Sequence, residues 1–446
     1  MTTTRNLTVA SLFSGCGGLD VGFKKAGFDL RFACDNDPAA IDCYKRNVDH
    51  NAYVLDVESQ AFRDHIEKLD RVDVVLGGFP CQGFSKAGPK RKSDERNTLY
   101  RQMLWTVEKL QPTLFIAENV DGISQNFKGE FIREIKSEFA SIGYRVESQI
   151  LDACAFGLPQ HRRRMIFVGV ATEAESYFAW PIPTHHAVAR NGEFRIGSSD
   201  LMLWDDHDAL LKPAQTIRDV IGDIIELTNE LPDHVVTSKW PEKYSHVFRK
   251  IDEGQKLCNV RFAETSIKTW EIPEVFGEVS ESQALILNTI AKHRRLKRYG
   301  NIPNGNPLPV AEIIRLSGLT SVQSDINYLI QTNYIKAKED GYDLKGAMFC
   351  SGLFKRPKWD EPSPTVLTNF HNPRYFLHPS ENRPFTLREC ARLQGFDDTF
   401  VFHGDGSIYS LEDGYRLVGN AVPPPLAETL ANKAAEFLES IHVATA

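Results

Sequence analysis

"RVDVVLGGFPCQGFS", residues 71–85, decides how the chain is read. Val74, Val75 and Leu76 follow one another without polar alternation and stop at Gly77 and Gly78, the pattern of a strand buried on both faces of a parallel sheet. In open α/β sheets the loops leaving the carboxyl ends of such strands carry the ligands. Cys81 follows Pro80 inside that loop, where neighbouring backbone N–H groups favour the thiolate and therefore a nucleophile. A small buried hydrophobe accounts for a cysteine here at least as well, since free cysteine is among the most buried residue types.

The same rhythm extends on both sides. "LTVASLF" (7–13), "DLRFACD" (29–35), "NAYVLDV" (51–57), "TLFIAEN" (113–119), "RVESQIL" (145–151) and "RRMIFVGV" (163–170) read as further strands. Helical stretches such as "PAAIDCYKRNV" (38–48) and "TLYRQMLWTVEKL" (98–110) separate most of them. Strand and helix in alternation predict an α/β fold with a doubly wound, mostly parallel sheet over residues 1–180. From "WPIPTHH" (180–186) to "HPSENRPF" (378–385) the alternation breaks, so 181–385 reads as a second, mixed α+β domain. Periodicity returns in "TLRECARLQGF" (386–396), and 386–446 is expected to rejoin the first domain.

Several classes fall away on composition. No apolar run has the length of a membrane span. The eight cysteines show no CxxC or Cys/His metal spacing, so no metal site is expected, and with no secretory leader they point to reduced thiols in the cytoplasm. The net charge of −7 speaks weakly against nucleic acid, but clustering matters more than the total. Basic clusters occur in "KAGPKRK" (86–92), "QHRRR" (160–164) and "KHRRLKR" (292–298).

Two further patterns carry chemistry. "LFSGCGGLDVGF" (12–23) follows the first strand and opens a helix, so its glycines let the backbone approach a ligand. It lacks the G-x-G-x-x-G spacing of dinucleotide sites. Asp35 ends the second strand, where a carboxylate can bond ribose hydroxyls; Asp37 and Asp56 lie close to the ends of the second and third. Acids at successive strand ends suit an adenosine ligand with an amino-acid part and a positive centre, such as S-adenosyl-methionine, although Asp37 also fits a helix N-cap. Separately, "SQALILNTIAKHRRL" (282–296), "PVAEIIRLSG" (309–318) and "SVQSDINYLIQTN" (321–333) read as three helices followed by the hairpin "YIKAKEDGYDLK" (334–345). That order over 281–345 is either a winged helix or an ordinary helical insertion. In the third helix Val322, Ile326, Leu329 and Ile330 share one face and leave Ser321, Gln323, Ser324 and Asn327 outward.

Taken in order, "FSGCGG" (13–18), "GFPCQGFS" (78–85), "ENV" (118–120), "QHRRR" (160–164), "RECARLQGF" (388–396) and "GNAVPPPL" (419–426) resemble the motifs of the C5-cytosine DNA methyltransferases of restriction–modification systems. The resemblance implies a cofactor site for S-adenosyl-methionine built from Phe13, Ser14, Gly15, Gly17, Gly18, Leu19, Asp35, Asn36, Asp56, Val57, Gly78, Pro80, Asn420, Ala421 and Val422. Asn36 stands where the family often has an aromatic or aliphatic residue against the adenine, and Ala421 replaces a common serine. It implies Cys81 as the nucleophile that adds to cytosine C6 and makes C5 an enamine carbon. Glu118 would serve N3 as a neutral acid; Arg162 would hold the base's O2 and a phosphate, and Arg164 would be structural. Gln82, Ser85 and Arg162 would touch DNA, as would Gln323 and Asn327 if 281–345 reads sequence. The region 181–385 stands in the place of a target-recognition domain, and the cytosine must be flipped out of the duplex.

Double-stranded DNA is thus the expected partner, with no membrane association, a monomeric enzyme near the nucleoid and a cognate endonuclease acting separately. A cytosine-C5 RNA methyltransferase on the same fold is the alternative, and the roughly 200 residues of the middle region favour duplex DNA. An NAD-dependent oxidoreductase is opposed by the glycine spacing. A DNA-binding module without chemistry is opposed by the intact Cys81, Glu118 and Arg162.

Overall fold

The structure, a computed structural model, describes residues 6–79, 99–124, 129–186, 211–227, 230–236, 239–261, 263–302, 305–339, 341–345, 351–404 and 409–445. It divides into two compact units, one of residues 1–235, 360–369 and 386–446 and the other of residues 236–359 and 370–385.

In the first unit strands and helices alternate as β1 (Thr8–Leu12), α1 (Gly18–Lys25), β2 (Asp29–Asp35), α2 (Pro38–Asn47), β3 (Ala52–Val54), α3 (Gln60–Lys68), β4 (Val74–Gly77), α4 (Tyr100–Leu110), β5 (Leu114–Val120), α5 (Glu130–Ser141), β6 (Tyr144–Asp152) and β7 (Arg163–Ala171). The sheet order is β3-β2-β1-β4-β5-β7-β6. The first five strands are parallel, and β7 runs antiparallel to both neighbours. The order reverses between β1 and β4, and a parallel sheet opens a crevice beyond its carboxyl ends at such a point. All four residues of β4 are buried, as an uninterrupted apolar strand requires. Leu12, Val75, Phe115 and Phe167 pack into one core with α3, α4 and α5. Asp37 starts α2 as its N-cap, accepting from the Ala39 N–H at 3.0 Å ahead of Pro38.

The expected boundary at residue 180 moves to 235. The short helix α6 (Ile217–Ile221) and His234, whose ring nitrogen lies 2.9 Å from the Thr386 hydroxyl, belong with the first unit. Isolated prolines and short elements hide that allegiance in the sequence, because it rests on partners some 150 residues away.

The second unit contains α7 (Tyr244–Lys250), β8 (Lys256–Cys258), β9 (Ser266–Ile267), α8 (Pro273–Phe276), α9 (Glu281–His293), β10 (Leu308–Pro309), α10 (Val310–Ser317), α11 (Gln323–Gln331), β11 (Ile335–Lys338), β12 (Gly341–Leu344) and β13 (Ser351–Leu353). From α9 to β12 the element order is that of a winged helix, with a small antiparallel sheet in the order β10-β12-β11. Ile286, Ile290, Ile313, Ile326, Leu329, Ile335 and Leu344 give this module its own apolar core. A second cluster of Val247, Phe248, Ile251, Leu257 and Phe354 lies beneath β8 and β13.

The chain then returns to the first unit with α12 (Leu387–Leu393), α13 (Leu411–Asn420) and α14 (Pro424–Thr445). α14 packs on α1 at unusually close range: a Cβ on Gly22 would lie 2.4 Å from the Ala427 Cβ, and one on Gly18 would lie 2.2 Å from the Val422 carbonyl oxygen. These glycines therefore join the first and last motifs of the chain. Among the described residues no helix is long and apolar enough to cross a membrane.

Candidate active site at the carboxyl ends of the sheet

The loop after β1 is shaped from both sides. Phe13 takes a left-handed backbone with φ 54°, a strained choice for a bulky residue and one that concentrates at ligand sites. The Ser14 N–H donates to the Cys34 carbonyl at 3.0 Å, and the Gly15 N–H donates to Asp35 Oδ2 at 2.9 Å. The other Asp35 oxygen accepts from the Asp37 N–H at 2.9 Å. Burial raises the Asp35 carboxyl above its ordinary range, and these backbone donors pull it back. A carboxylate oxygen holds two lone pairs, so each retains acceptor capacity for a bound hydroxyl.

This loop fits a polar ligand. Among the described residues the buried Ser14 hydroxyl has no hydrogen-bond partner, and a Cβ built on Gly15 would meet nothing within 4 Å. Gly17, Gly18 and Leu19 are buried in the turn and helix behind it, and the Val422 carbonyl closes over Gly18. Asn36 and Asn420 are exposed, and Ala421 and Val422 are buried. Asp56 is exposed and uses Oδ1 to accept from the Glu58 N–H at 2.9 Å, a local turn beside buried Val57.

The chemistry-bearing acid stands on β5. Val120 lies opposite Arg164 in the antiparallel register of β5 and β7. Side chains alternate along a strand, so Glu118 shares a sheet face with Val120 and hence with Arg164. Arg164 Nε meets Glu118 Oε1 at 2.6 Å, with both side chains 12% exposed. Gly78 adjoins both functional ends: a Cβ there would be 3.5 Å from the Phe13 carbonyl oxygen and 3.9 Å from Glu118 Oε2. Pro80, Cys81, Gln82 and Ser85 lie outside the described residues.

The two motif arginines stand in surroundings opposite to those expected: Arg162 is the buried one, and Arg164 is the one beside the acid. Arg162 is fully buried and is not presented to a base or phosphate. Its Nη1 donates to the Val366 carbonyl at 3.1 Å, and its Nη2 donates to the Gly419 and Ala421 carbonyls, each at 2.8 Å. Its Nε is buried without a hydrogen-bond partner among the described residues, and the three Nη bonds make Arg162 a clamp between segments. Burial also depresses its pKa well below the usual arginine value. Arg164, expected to be structural, is the arginine on the acid.

Three groups outside the sequence-based set complete the site. Asn119 is buried, and its Nδ2 donates to the Phe79 carbonyl at 3.1 Å, which fixes the chain one residue before Pro80. Its signal was the alternation itself, because the neighbour of Glu118 on a strand must point to the other, buried face. Gln160 donates through Nε2 to Gln394 Oε1 at 2.6 Å and accepts from the Val366 N–H at 2.8 Å. Gln394 in turn donates to the Val418 and Ala421 carbonyls at 3.0 and 2.8 Å, so three motifs share one network. Asp20, on α1 behind the glycine loop, is fully buried and accepts from the Ser11 and Tyr44 hydroxyls at 3.1 and 3.0 Å. Burial pushes its carboxyl up to about 6.

Comparison with known proteins gives a consistent picture. A family model described as C-5 cytosine-specific DNA methylase matches residues 7–436. The Type II methyltransferase M.DdeI of Desulfomicrobium norvegicum is 28% identical across 98% of this chain and 90% of its own length. M.BsuRI of Bacillus subtilis, another Type II methyltransferase, is 36% identical over 50% of this chain and 52% of its own length. In fold, a DNA modification methyltransferase encoded within an E. coli prophage superposes with a TM-score of 0.52 at 22% identity, covering 97% of this chain and all of that one (100%).

Proposed function

Because the chain belongs to the C-5 cytosine-specific DNA methylase family and is a DNA cytosine-5-methyltransferase, we propose that it modifies a flipped-out cytosine in duplex DNA through a covalent adduct on Cys81. S-adenosyl-methionine, when bound, supplies the methyl group. Phe13, Ser14, Gly15, Asp35 and Gly78 would hold it, with the orphaned Ser14 hydroxyl and the open space at Gly15 as the features that fit. Asp56, Val57, Asn420, Ala421 and Val422 would frame the same ligand.

The Cys81 thiolate adds to C6, forming an S–C bond and shifting an electron pair toward C5. Charge builds on the ring at N3 and O2 as it does so. Glu118 serves N3 through a hydrogen bond with a shared proton, and Arg164, paired with Glu118 Oε1, holds O2. Once C5 carries the new methyl group, its proton leaves to a base and the S–C bond breaks, which regenerates the thiol. Asn119 keeps the start of the Cys81 loop in register throughout. Reaching a stacked base requires flipping, at a few kcal/mol of unstacking. The unit of residues 236–359 and 370–385 acts in target recognition, and the enzyme works as a monomer in the cytoplasm with any cognate endonuclease acting separately. RNA as the substrate is the weaker reading, given a family described by its action on DNA.

The observation that carries the proposal is the Glu118–Arg164 ion pair beside Gly78, with the glycine loop on its other side. A duplex containing 5-fluorocytosine should trap a protein–DNA adduct with S-adenosyl-methionine present, because fluorine does not leave as a proton does. Cys81→Ala should yield no adduct and no transfer to DNA. Methyl transfer by that variant at a comparable rate, or transfer to tRNA and not to duplex DNA, would overturn the reading.

A further inference from the structure

The exposed face of α11 is unusual for a helix in water. Gln323, Ser324, Asn327, Tyr328 and Gln331 are its exposed positions, and none carries a charge or an aliphatic side chain. A merely solvated face is ordinarily rich in charged groups. Asp325, the acid of this helix, is engaged by Gln283 Nε2 at 3.2 Å. Gln323 Nε2 donates to Asn327 Oδ1 at 3.0 Å. That bond spaces two amides one turn apart, with Gln323 Oε1 as acceptor and Asn327 Nδ2 as donor left over.

Charge supplies the second, independent observation. The whole chain carries −7, yet residues 281–345 hold nine lysines and arginines against six aspartates and glutamates. Two of those acids are consumed inside the module: Asp343 by buried Arg294 at 2.8 and 3.0 Å, and Glu312 by Arg315 and Tyr299. Arg294 is therefore not a phosphate ligand, whatever its place in "KHRRLKR" suggests. Arg295, Lys297 and Arg298 are exposed beyond the end of α9. On β11, Lys336 and Lys338 share the face opposite buried Ile335.

We infer that the module from α9 to β12 is a duplex-DNA contact surface in its own right, in which Gln323 and Asn327 read base edges and the exposed arginines and lysines hold the phosphate backbone. The inference rests on the reading of the chain as a duplex-DNA methyltransferase. Amide side chains pair with adenine N6 and N7 in the major groove, so the base preference is for A·T pairs. Phosphate contacts position the protein and carry no sequence information.

The test uses the full chain and a binding selection from a randomised duplex pool, which needs no methyl transfer. Gln323→Ala with Asn327→Ala should lose A·T preference at one or two positions by about 5- to 100-fold each, with the salt dependence unchanged. Arg295→Ala, Lys297→Ala and Arg298→Ala together should weaken all sequences alike and lower the slope of log K against log salt by about 0.9 per lost phosphate contact. Gln323→Glu with Asn327→Asp, which keeps the side-chain volume, should repel DNA and give the same loss of preference. Thermal melting checks that each variant is folded. Retained preference and an unchanged slope in all three would overturn the inference and leave a protein partner as the occupant of this face. Wild-type protein that selects A·T-bearing duplexes but methylates no cytosine would break the proposed function and leave this inference standing.

Discussion

Arg162 and Arg294 are among the largest fully buried side chains, one in each unit, and they are bonded in different ways. Arg162 gathers three backbone carbonyls, from Val366, Gly419 and Ala421, and has no carboxylate bonded to it. Arg294 takes both oxygens of Asp343 on β12, in its own module. One arginine joins segments more than 200 residues apart at the active site; the other locks a local fold. At these two positions the partners differ in kind: main-chain carbonyls of distant segments for Arg162, a carboxylate of its own module for Arg294.

Side-chain replacement separates the two most strongly. Arg162→Met should cost about 1–3 kcal/mol for each carbonyl left bare and abolish transfer along with the folded site. No second substitution can repair it, because the partners are main chain. Arg294→Met should cost about 3–5 kcal/mol by stranding Asp343, while Arg294→Met with Asp343→Leu should recover most of that loss. Urea unfolding of the four proteins measures both, and rescue of the Arg162 variant by any change at Asp343 would break the contrast.

Moving two residues along the motif should change the readout from stability to rate. Arg164→Ala removes a group at the site mouth and should lower kcat by about 100- to 1,000-fold. Glu118→Gln should lower kcat by about 100-fold or more. Melting temperatures and affinity for S-adenosyl-methionine should stay close to wild type in both. A large fall in stability with kcat unchanged would return Arg164 to a structural role.

The smallest expected effect concerns Asp20, buried as Arg162 is but titratable in an accessible range. Its folded carboxyl sits at about 6 against an unperturbed 3.8, so burial favours the protonated form. The associated stability is fully present below about pH 4 and is lost as pH rises through 6, a change of order 3 kcal/mol at most. Asp20→Asn keeps a neutral side chain beside Ser11 and Tyr44 and should remove that dependence. The stability difference between variant and wild type should thus move in favour of the variant from pH 4 to pH 7; a difference constant with pH would assign the ionisation elsewhere.

Sequence periodicity marked the seven strands of the sheet, because short runs rich in branched and aromatic residues alternated with helical stretches, β4 being an uninterrupted apolar run ended by glycine. The helices of 281–345 were equally legible, since their apolar faces are local signals, but Gly341, expected in the hairpin turn, opens β12 opposite Lys338. Motif order was sufficient to draw attention to Glu118 and the glycine loop, which the fold places at the carboxyl ends of β5 and β1. It could not say which arginine of "QHRRR" faces the acid, because spacing by two puts Arg162 and Arg164 in equivalent places until burial distinguishes them. Nor could it reveal that Arg294 belongs to Asp343, that Asn119 holds the Phe79 carbonyl, or that residues 211–235 side with the first unit. Each of these depends on which distant groups arrive to saturate a desolvated donor or acceptor, and that is decided only when strands and helices far apart in the chain are packed together.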